Sequence, residues 1–323
     1  MYGGTWPPQR CELLTRTDKT ISLDGAAALI DALRCPPQPR EPLGEMDWRC
    51  QAADALGKIG NEAAVPALTE ALGDGACAVR EAATEALDKL RISSAATMAG
   101  FIEALKSAHP SARRNAAEVL GELGPDAKTA VPSLVNSLDD EDNGVRWATT
   151  IALGEIGPDA KVAVPALIKA LGDKALEVRM RAAQALGKIG DEAAAPALTK
   201  ALKDHELVAI HAHYALAKIT SKPQEHVPSL IEALKGKAED WTVRSNAAEA
   251  LGEIGPDAKA AVPALTEALG DDPPVLVYVH YALAKITGRK EDHMRALTRI
   301  AKDDVWGLSN KAAKVLEKVG KNA

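Results

Sequence analysis

The chain has 323 residues and a formal net charge of -6 at pH 7, with 46% hydrophobic residues, 26% charged and 3% aromatic. An acidic balance argues against a general phosphate-backbone binder, since domains of that kind carry a clear basic excess. Abundant alanine and leucine beside so few aromatics suit helices packed closely through small side chains, and the class is read as all-α.

Residues 1–21 match no repeat, and Trp6, Leu13 and Leu14 are expected to cap the open apolar end of the stack that follows. The segment lacks the basic start and apolar core of a signal peptide. No stretch approaches the ~18 apolar residues of a spanning helix, so no membrane is expected and a cytoplasmic monomer is. A proline-dense loop over 36–46, opening Pro36-Pro37-Gln38-Pro39, widens the first hairpin as an extended spacer. Cys11, Cys35, Cys50 and Cys77 stand at irregular separations with no Cys-x-x-Cys pair, and are read as reduced thiols.

From 22 to 320 the sequence repeats itself, leaving 321–323 as a tail. Gly-Glu-Ile-Gly-Pro-Asp-Ala-Lys occurs at 154–161 and again at 252–259, with a near copy at 121–128. A marker leucine recurs at Leu56, Leu87, Leu120, Leu153, Leu186, Leu216, Leu251, Leu283 and Leu316. The shortest step is 30 residues, from Leu186 to Leu216, and the longest 35, from Leu216 to Leu251. A period of this size signals an α-solenoid of about nine stacked helical hairpins, none able to bury its apolar face alone.

Within 158–190, two helical patterns flank Gly-Asp-Lys at 172–174. In the second, Val178, Ala182, Ala185, Leu186 and Ile189 form one apolar stripe at helical spacing, so that face is buried. Gly190 is expected to close the helix in the left-handed conformation, as are Gly60, Gly124, Gly157, Gly255 and Gly320. Pro66, Pro132, Pro165, Pro196, Pro228 and Pro263 fall inside the first-helix segment, where proline must kink the helix or mark its effective start. Gly57, Gly121, Gly154, Gly187 and Gly252 sit inside second helices at a cost of roughly 0.5 to 1 kcal/mol relative to alanine, which close helix approach or an uncluttered exposed face would explain.

The combination of Val-Pro-Ala-Leu in the first helix with Val-Arg-x-x-Ala-Ala-x-Ala-Leu-Gly-x-Ile-Gly in the second resembles the HEAT repeat, in its short phycobilisome-lyase form. The resemblance covers about 22–320 and implies a right-handed superhelix. In HEAT repeats an arginine near the start of the second helix meets an aspartate of the preceding turn, and Arg80, Arg146 and Arg179 follow Asp74, Asp140 and Asp173 by six residues. Arg49, Arg113 and Arg244 hold the same slot, and all six are assigned to scaffolding. A hydroxylase branch of the family holds two irons on His-Glu dipeptides in the first turns of second helices. The matching positions here, among them Glu81-Ala82, Trp147-Ala148 and Ile210-His211, carry none.

Two units depart from the pattern together: His-Tyr-Ala-Leu-Ala-Lys-Ile-Thr stands at 213–220 and again at 280–287, and both lack the arginine. Duplication of a two-repeat block is the simplest origin. His211 and His213 point to different sides of one helix, and His213 and His280 are separated by two helix-packing steps of roughly 8 to 10 Å each, so no metal and no cofactor is expected. His205, His226 and His293 are placed in or near loops, and the second-helix histidines between repeats. Trp241 and Trp306 are expected to pack over hairpin turns.

Positions six and two before each marker leucine lie opposite the buried stripe and are expected on the inner surface of the superhelix. At the ends they are polar. In the middle they are Trp147, Ile151, Met180, Ile210 and Tyr214, extended by Val277 and Tyr281, which together would form an exposed apolar patch of the kind that marks an interface. No catalytic residue is assigned. The function expected is a non-catalytic scaffold that binds a protein or peptide on its concave face. The rival readings are a bilin-lyase-like chromophore handler, which the repeat type implies, and a nucleic-acid binder, which the net charge and Glu81, Glu85, Glu118 and Glu249 oppose.

Overall fold

A computed structural model describes residues 23–34, 48–60, 62–90, 95–236, 241–303 and 307–320. The expected cap at 1–21, the whole proline-rich loop at 36–46, the tail at 321–323 and Trp306 lie outside them. The chain divides into two compact units, 1–156 and 157–323. Among the described residues all regular structure is helical.

The first unit contains α1 (Leu23–Leu33), α2 (Trp48–Ile59), α3 (Val65–Ala71), α4 (Cys77–Lys89), α5 (Ala95–Ala104), α6 (Pro110–Leu123), α7 (Val131–Ser137) and α8 (Asn143–Ile156). The second contains α9 (Val164–Ala170), α10 (Leu176–Ile189), α11 (Ala195–Ala201), α12 (Glu206–Ile219), α13 (Pro223–Leu234), α14 (Trp241–Ile254), α15 (Val262–Glu267), α16 (Pro273–Thr287), α17 (Lys290–Asp303) and α18 (Ser309–Gly320). Odd-numbered first helices pack on the even-numbered second helices that follow them, and second helices pack on one another, α2 on α4, α6 on α8, α10 on α12 and α14 on α16. This is the solenoid-type all-α architecture that the period implied.

Proline explains why the first helix is split. Its ring removes an amide hydrogen and collides with the carbonyl four residues back, so a continuous α-helix cannot run through it. The chain instead makes a 3-10 segment, Gly124–Ala130, and the α-helix proper begins at Val131 with Pro132 in its first turn. Gly157–Ala163 before α9 and Gly255–Ala261 before α15 do the same, as do the shorter Glu62–Ala64 before α3 and Glu192–Ala194 before α11. Pro228 is the exception, lying inside α13.

Gly190 closes α10 at φ 78°, its N–H donating to the Leu186 carbonyl at 3.0 Å. Gly60, Gly124, Gly157 and Gly255 share the positive φ, as does Gly288, which the pattern did not single out. Gly320 does not share it and ends within α18. Gly57, Gly121, Gly187 and Gly252 inside second helices are explained by close approach. A Cβ on Gly57 would lie 2.7 Å from the Cα of Ala86, and one on Gly187 would lie 2.8 Å from the Cα of Ala215.

The marker leucines from Leu56 to Leu283 are buried along this seam, while Leu316 at the last hairpin is half-buried. Each fully buried leucine contributes about 1.5–3 kcal/mol. The arginines tie one hairpin to the next in a way that refines the six-residue rule. Arg80 and Arg146 donate to the main-chain carbonyls of Asp74 and Asp140, at 2.7 and 2.8 Å, rather than to their carboxylates. The turn carboxylates are taken by the preceding arginine: Arg113 donates to both oxygens of Asp140 at 2.7 and 2.8 Å, and Arg49 pairs with Asp74. In the second unit Arg179 holds the Asp173 carbonyl at 3.0 Å and both oxygens of Asp204 at 2.8 and 3.1 Å, while Arg244 pairs with Asp271.

Candidate binding face

Each second helix presents a face away from its first helix, and the two units build that face differently. In the first unit it is open. A groove of about 440 Å³ runs between α4 and α6, lined by Arg80, Glu81, Thr84 and Glu85 on one side and Arg114, Asn115, Glu118, Val119 and Glu122 on the other. Arg114 lies beside the start of α8, where a Cβ on Gly144 would stand 3.4 Å from its Cδ. Further along α8, Trp147 and Ile151 are half-buried, the only large apolar side chains at the six-before and two-before positions of α4, α6 and α8. The groove is electrostatically mixed: Arg114 reaches Glu118 at 3.7 Å, and Lys89 lies 3.7 Å from Glu85 and 3.1 Å from Asp54.

In the second unit the corresponding face is filled. Met180 is half-buried, but Ile210, Tyr214, Val277 and Tyr281 are buried, so the expectation that these four are exposed is corrected. For the two tyrosines the reason is the glycine one position after the marker leucine in the preceding hairpin. Tyr214 lays its ring over Gly187 and Tyr281 over Gly252, so closely that a Cβ on either glycine would stand 2.7 Å from the ring. Val277 is enclosed with Leu308, Ala312 and Val315 of the last hairpin. The Tyr281 hydroxyl donates to Glu253 Oε1 at 2.7 Å, and Lys318 approaches Glu249 and Glu253 at 3.5 and 3.7 Å. Burial, followed by the nearby carboxylates, pushes the Tyr281 phenol well above its ordinary value, so it stays a neutral donor.

A polar ladder that the sequence reading did not identify sits one residue further along these helices. Arg181, His211, Asn246, Tyr278 and Lys311 each stand five before a marker leucine. His211 is 1% exposed and its Nε2 lies 3.1 Å from Asn246 Oδ1, while Lys311 Nζ lies 5.0 Å from the centroid of the Tyr278 ring. Burial and the Arg181 charge lower the His211 pKa to about 3, so the ring is neutral and acts as a satisfied polar group between repeats. Arg181 donates to Gln184 Oε1 at 2.6 Å. The sequence holds no sharp signal for this ladder, because the same register position already alternates between amide and alanine in the earlier second helices, Gln51, Ala82, Asn115 and Ala148.

Two of the remaining histidines are placed otherwise than expected. His226 lies within α13 and His293 within α17, not in loops, and each meets the histidine of the preceding second helix. His205 caps α12, its Nδ1 accepting from the Leu207 N–H at 3.3 Å. Trp241 is 46% exposed, and residues 237–240 of the turn it was expected to cover lie outside the described residues. Among the described residues no group of three or more histidine, cysteine, aspartate or glutamate side chains is assembled for a metal, and no helix is long and apolar enough to cross a membrane.

No curated protein sequence matches the chain. Among solved structures, Escherichia coli YibA is 22% identical over 88% of this chain and 99% of that chain, with a TM-score of 0.46. Kap121p bound to Pho4p aligns at 15% identity over 84% of this chain and 34% of that chain, with a TM-score of 0.54. The CpcE–CpcF complex of phycocyanin lyase from Nostoc is 24% identical over 76% of this chain and 96% of that one, with a TM-score of 0.30. The likeness to Kap121p speaks for the fold alone. The profile of HEAT repeats matches residues 44–97, 98–164, 158–217 and 203–284, which together make up most of the sequence, and the chain therefore belongs to the HEAT-repeat family.

Proposed function

We propose that the protein is a non-catalytic interaction scaffold that takes a protein or peptide segment on the open second-helix face of its first unit. The observation that carries this reading is the groove between α4 and α6, with Trp147 and Ile151 half-buried on α8, the second helix that packs on α6. A tryptophan left partly exposed on a helix is a favoured anchor, because it offers a large contact area at low entropic cost. Glu81, Glu85, Glu118 and Glu122 outnumber Arg80 and Arg114 along the groove, and favour a partner segment that brings lysine or arginine beside a bulky apolar residue. On the second unit Met180 is half-buried, whereas Ile210, Tyr214, Val277 and Tyr281 serve as packing beneath the surface.

The test is capture of partners from source lysate by wild type and by two variants, Trp147→Ala/Ile151→Ala and Glu81→Lys/Glu118→Lys. A third, Lys200→Glu on the exposed side of α11, serves as control. A protein retained by wild type and the control but lost from both groove variants is the expected result. Equal capture by all four proteins removes the groove reading.

A further inference from the structure

His213 on α12 and His226 on α13 place their Nδ1 atoms 3.2 Å apart, and His280 on α16 and His293 on α17 repeat the arrangement at 3.1 Å. The ring centroids are 5.4 Å apart in both pairs, with the planes tilted by 54° and 47°. All four rings are partly exposed, so solvent and ions reach them.

The repeat has no general need for histidine at these places. Three before the marker leucine, where His213 and His280 stand, the other second helices carry Ala53, Thr84, Ala117, Thr150, Ala183, Ala248 and Ala313. The residue before the Val-Pro or Ala-Pro step, where His226 stands, is Ala64, Ala130, Ala163, Ala194 or Ala261 in other units. Two sites that elsewhere hold small residues have therefore both become histidine, and the new side chains meet nitrogen to nitrogen.

We propose that each pair is a two-imidazole site for one zinc(II) ion, or another divalent transition-metal ion that favours nitrogen, bound through both Nδ1 atoms with water completing the coordination. Two imidazole nitrogens at about 2.0–2.1 Å from one zinc in tetrahedral geometry stand about 3.3–3.4 Å apart, so the observed separations need only a small rotation of the rings. Copper(II) satisfies the same donors and binds more strongly in the usual order of divalent ions. Burial, with the neighbouring ring acting second, lowers the pKa of His213 and of His280 to about 4, so these two ligands are unprotonated at neutral pH. In the metal-free pair one Nδ1–H donates to the other Nδ1. On binding, that proton moves to Nε2 of its own ring through solvent, so no proton is released. Glu225 and Asp292 directly precede the second histidine of each pair, but each carboxylate is already paired with a cation, Lys222 at 3.3 Å and Arg295 at 2.9 Å, so the imidazoles carry the site. The ion would fasten each second helix to the first helix of the next hairpin.

The test is calorimetric titration of the chelator-treated full chain with zinc chloride near pH 7, in a non-coordinating buffer, with thermal melts alongside. Wild type should take up two ions of this class per chain and melt higher with zinc. His226→Ala and His293→Ala, which restore the residue other repeats carry, should each leave one ion, and the double variant should leave neither ion nor melting shift. Circular dichroism establishes that the variants keep their helicity, and His226→Gln and His293→Gln provide a second set if either alanine variant does not. A stoichiometry unchanged in the double variant, or no saturable binding by wild type, overturns the proposal and leaves the pairs as neutral hydrogen bonds.

Discussion

Tyr281 lies on Gly252: a Cβ at the glycine would stand 2.7 Å from Cδ1 and 2.8 Å from Cε1 of the ring, whose hydroxyl reaches on to Glu253 at 2.7 Å. Helix propensity alone favours Gly252→Ala by roughly 1 kcal/mol. Steric conflict with the ring and with the Ala282 Cα, 3.0 Å away, opposes it. Overpacking of this kind costs about 1–3 kcal/mol, and the conflict prevails. Gly252→Ala should therefore lower the urea midpoint. Gly75→Ala, at a turn with open space around the added carbon and no left-handed φ, should leave it nearly unchanged.

The burial of Tyr214 and Tyr281 makes a second distinction measurable. Truncating a buried aromatic costs on the order of 3–5 kcal/mol, whereas Ile151 is smaller and partly exposed and loses less. Tyr281→Ala should destabilise the second unit strongly, and Ile151→Ala should change the denaturation curve little. If the two are equally mild, Tyr281 is a surface residue.

Arg113 and Arg34 test which ion pairs matter. Arg113 donates to both oxygens of Asp140 and to the carbonyls of Ser107 and Ala108, in a nearly solvent-free setting. Arg113→Ala leaves the carboxylate and two carbonyls without these donors, and should cost on the order of 3 kcal/mol. The Arg34–Glu70 pair is about half exposed on both sides, and Arg34→Ala should cost under about 1 kcal/mol. Chemical denaturation of the two variants in parallel is the measurement.

Asp140 also gives a pH signature. Burial raises its carboxyl, but the bonds from Arg113 and from the Asp142 N–H outweigh this and hold it below the ordinary value. A carboxyl whose folded pKa is depressed adds stability above its unfolded pKa of about 3.9, and that stability is lost as pH falls through the folded value. The stability gap between wild type and Asp140→Asn should be full at pH 6 and close progressively below about pH 4. A gap that stays constant to pH 2.5 contradicts this.

The sequence made the hairpin repeat legible because its signals are local: a leucine every thirty-odd residues, a closing glycine, a proline at the first turn. The broken first helix followed from Pro132 and Pro165 by the same local logic. The candidate face was legible only in register. Positions six and two before the marker were found, but their exposure depends on what the neighbouring hairpin presents. Gly187 and Gly252 admit a tyrosine ring, and no single-helix pattern says that the ring will lie down across them. His213 and His226 illustrate the same limit. They are thirteen residues apart, at no helical spacing, and meet only because the chain reverses between α12 and α13.

The central claim, that the groove of the first unit binds a basic and apolar segment through Trp147 and Ile151, is tested most directly by selecting a random peptide library on the immobilised protein, with counter-selection on Trp147→Ala/Ile151→Ala. Enriched peptides should combine lysine or arginine with a bulky apolar residue, bind wild type more weakly as salt rises, and lose at least tenfold in affinity for the variant. Peptides that bind both proteins equally well, or no enrichment at all, would contradict it.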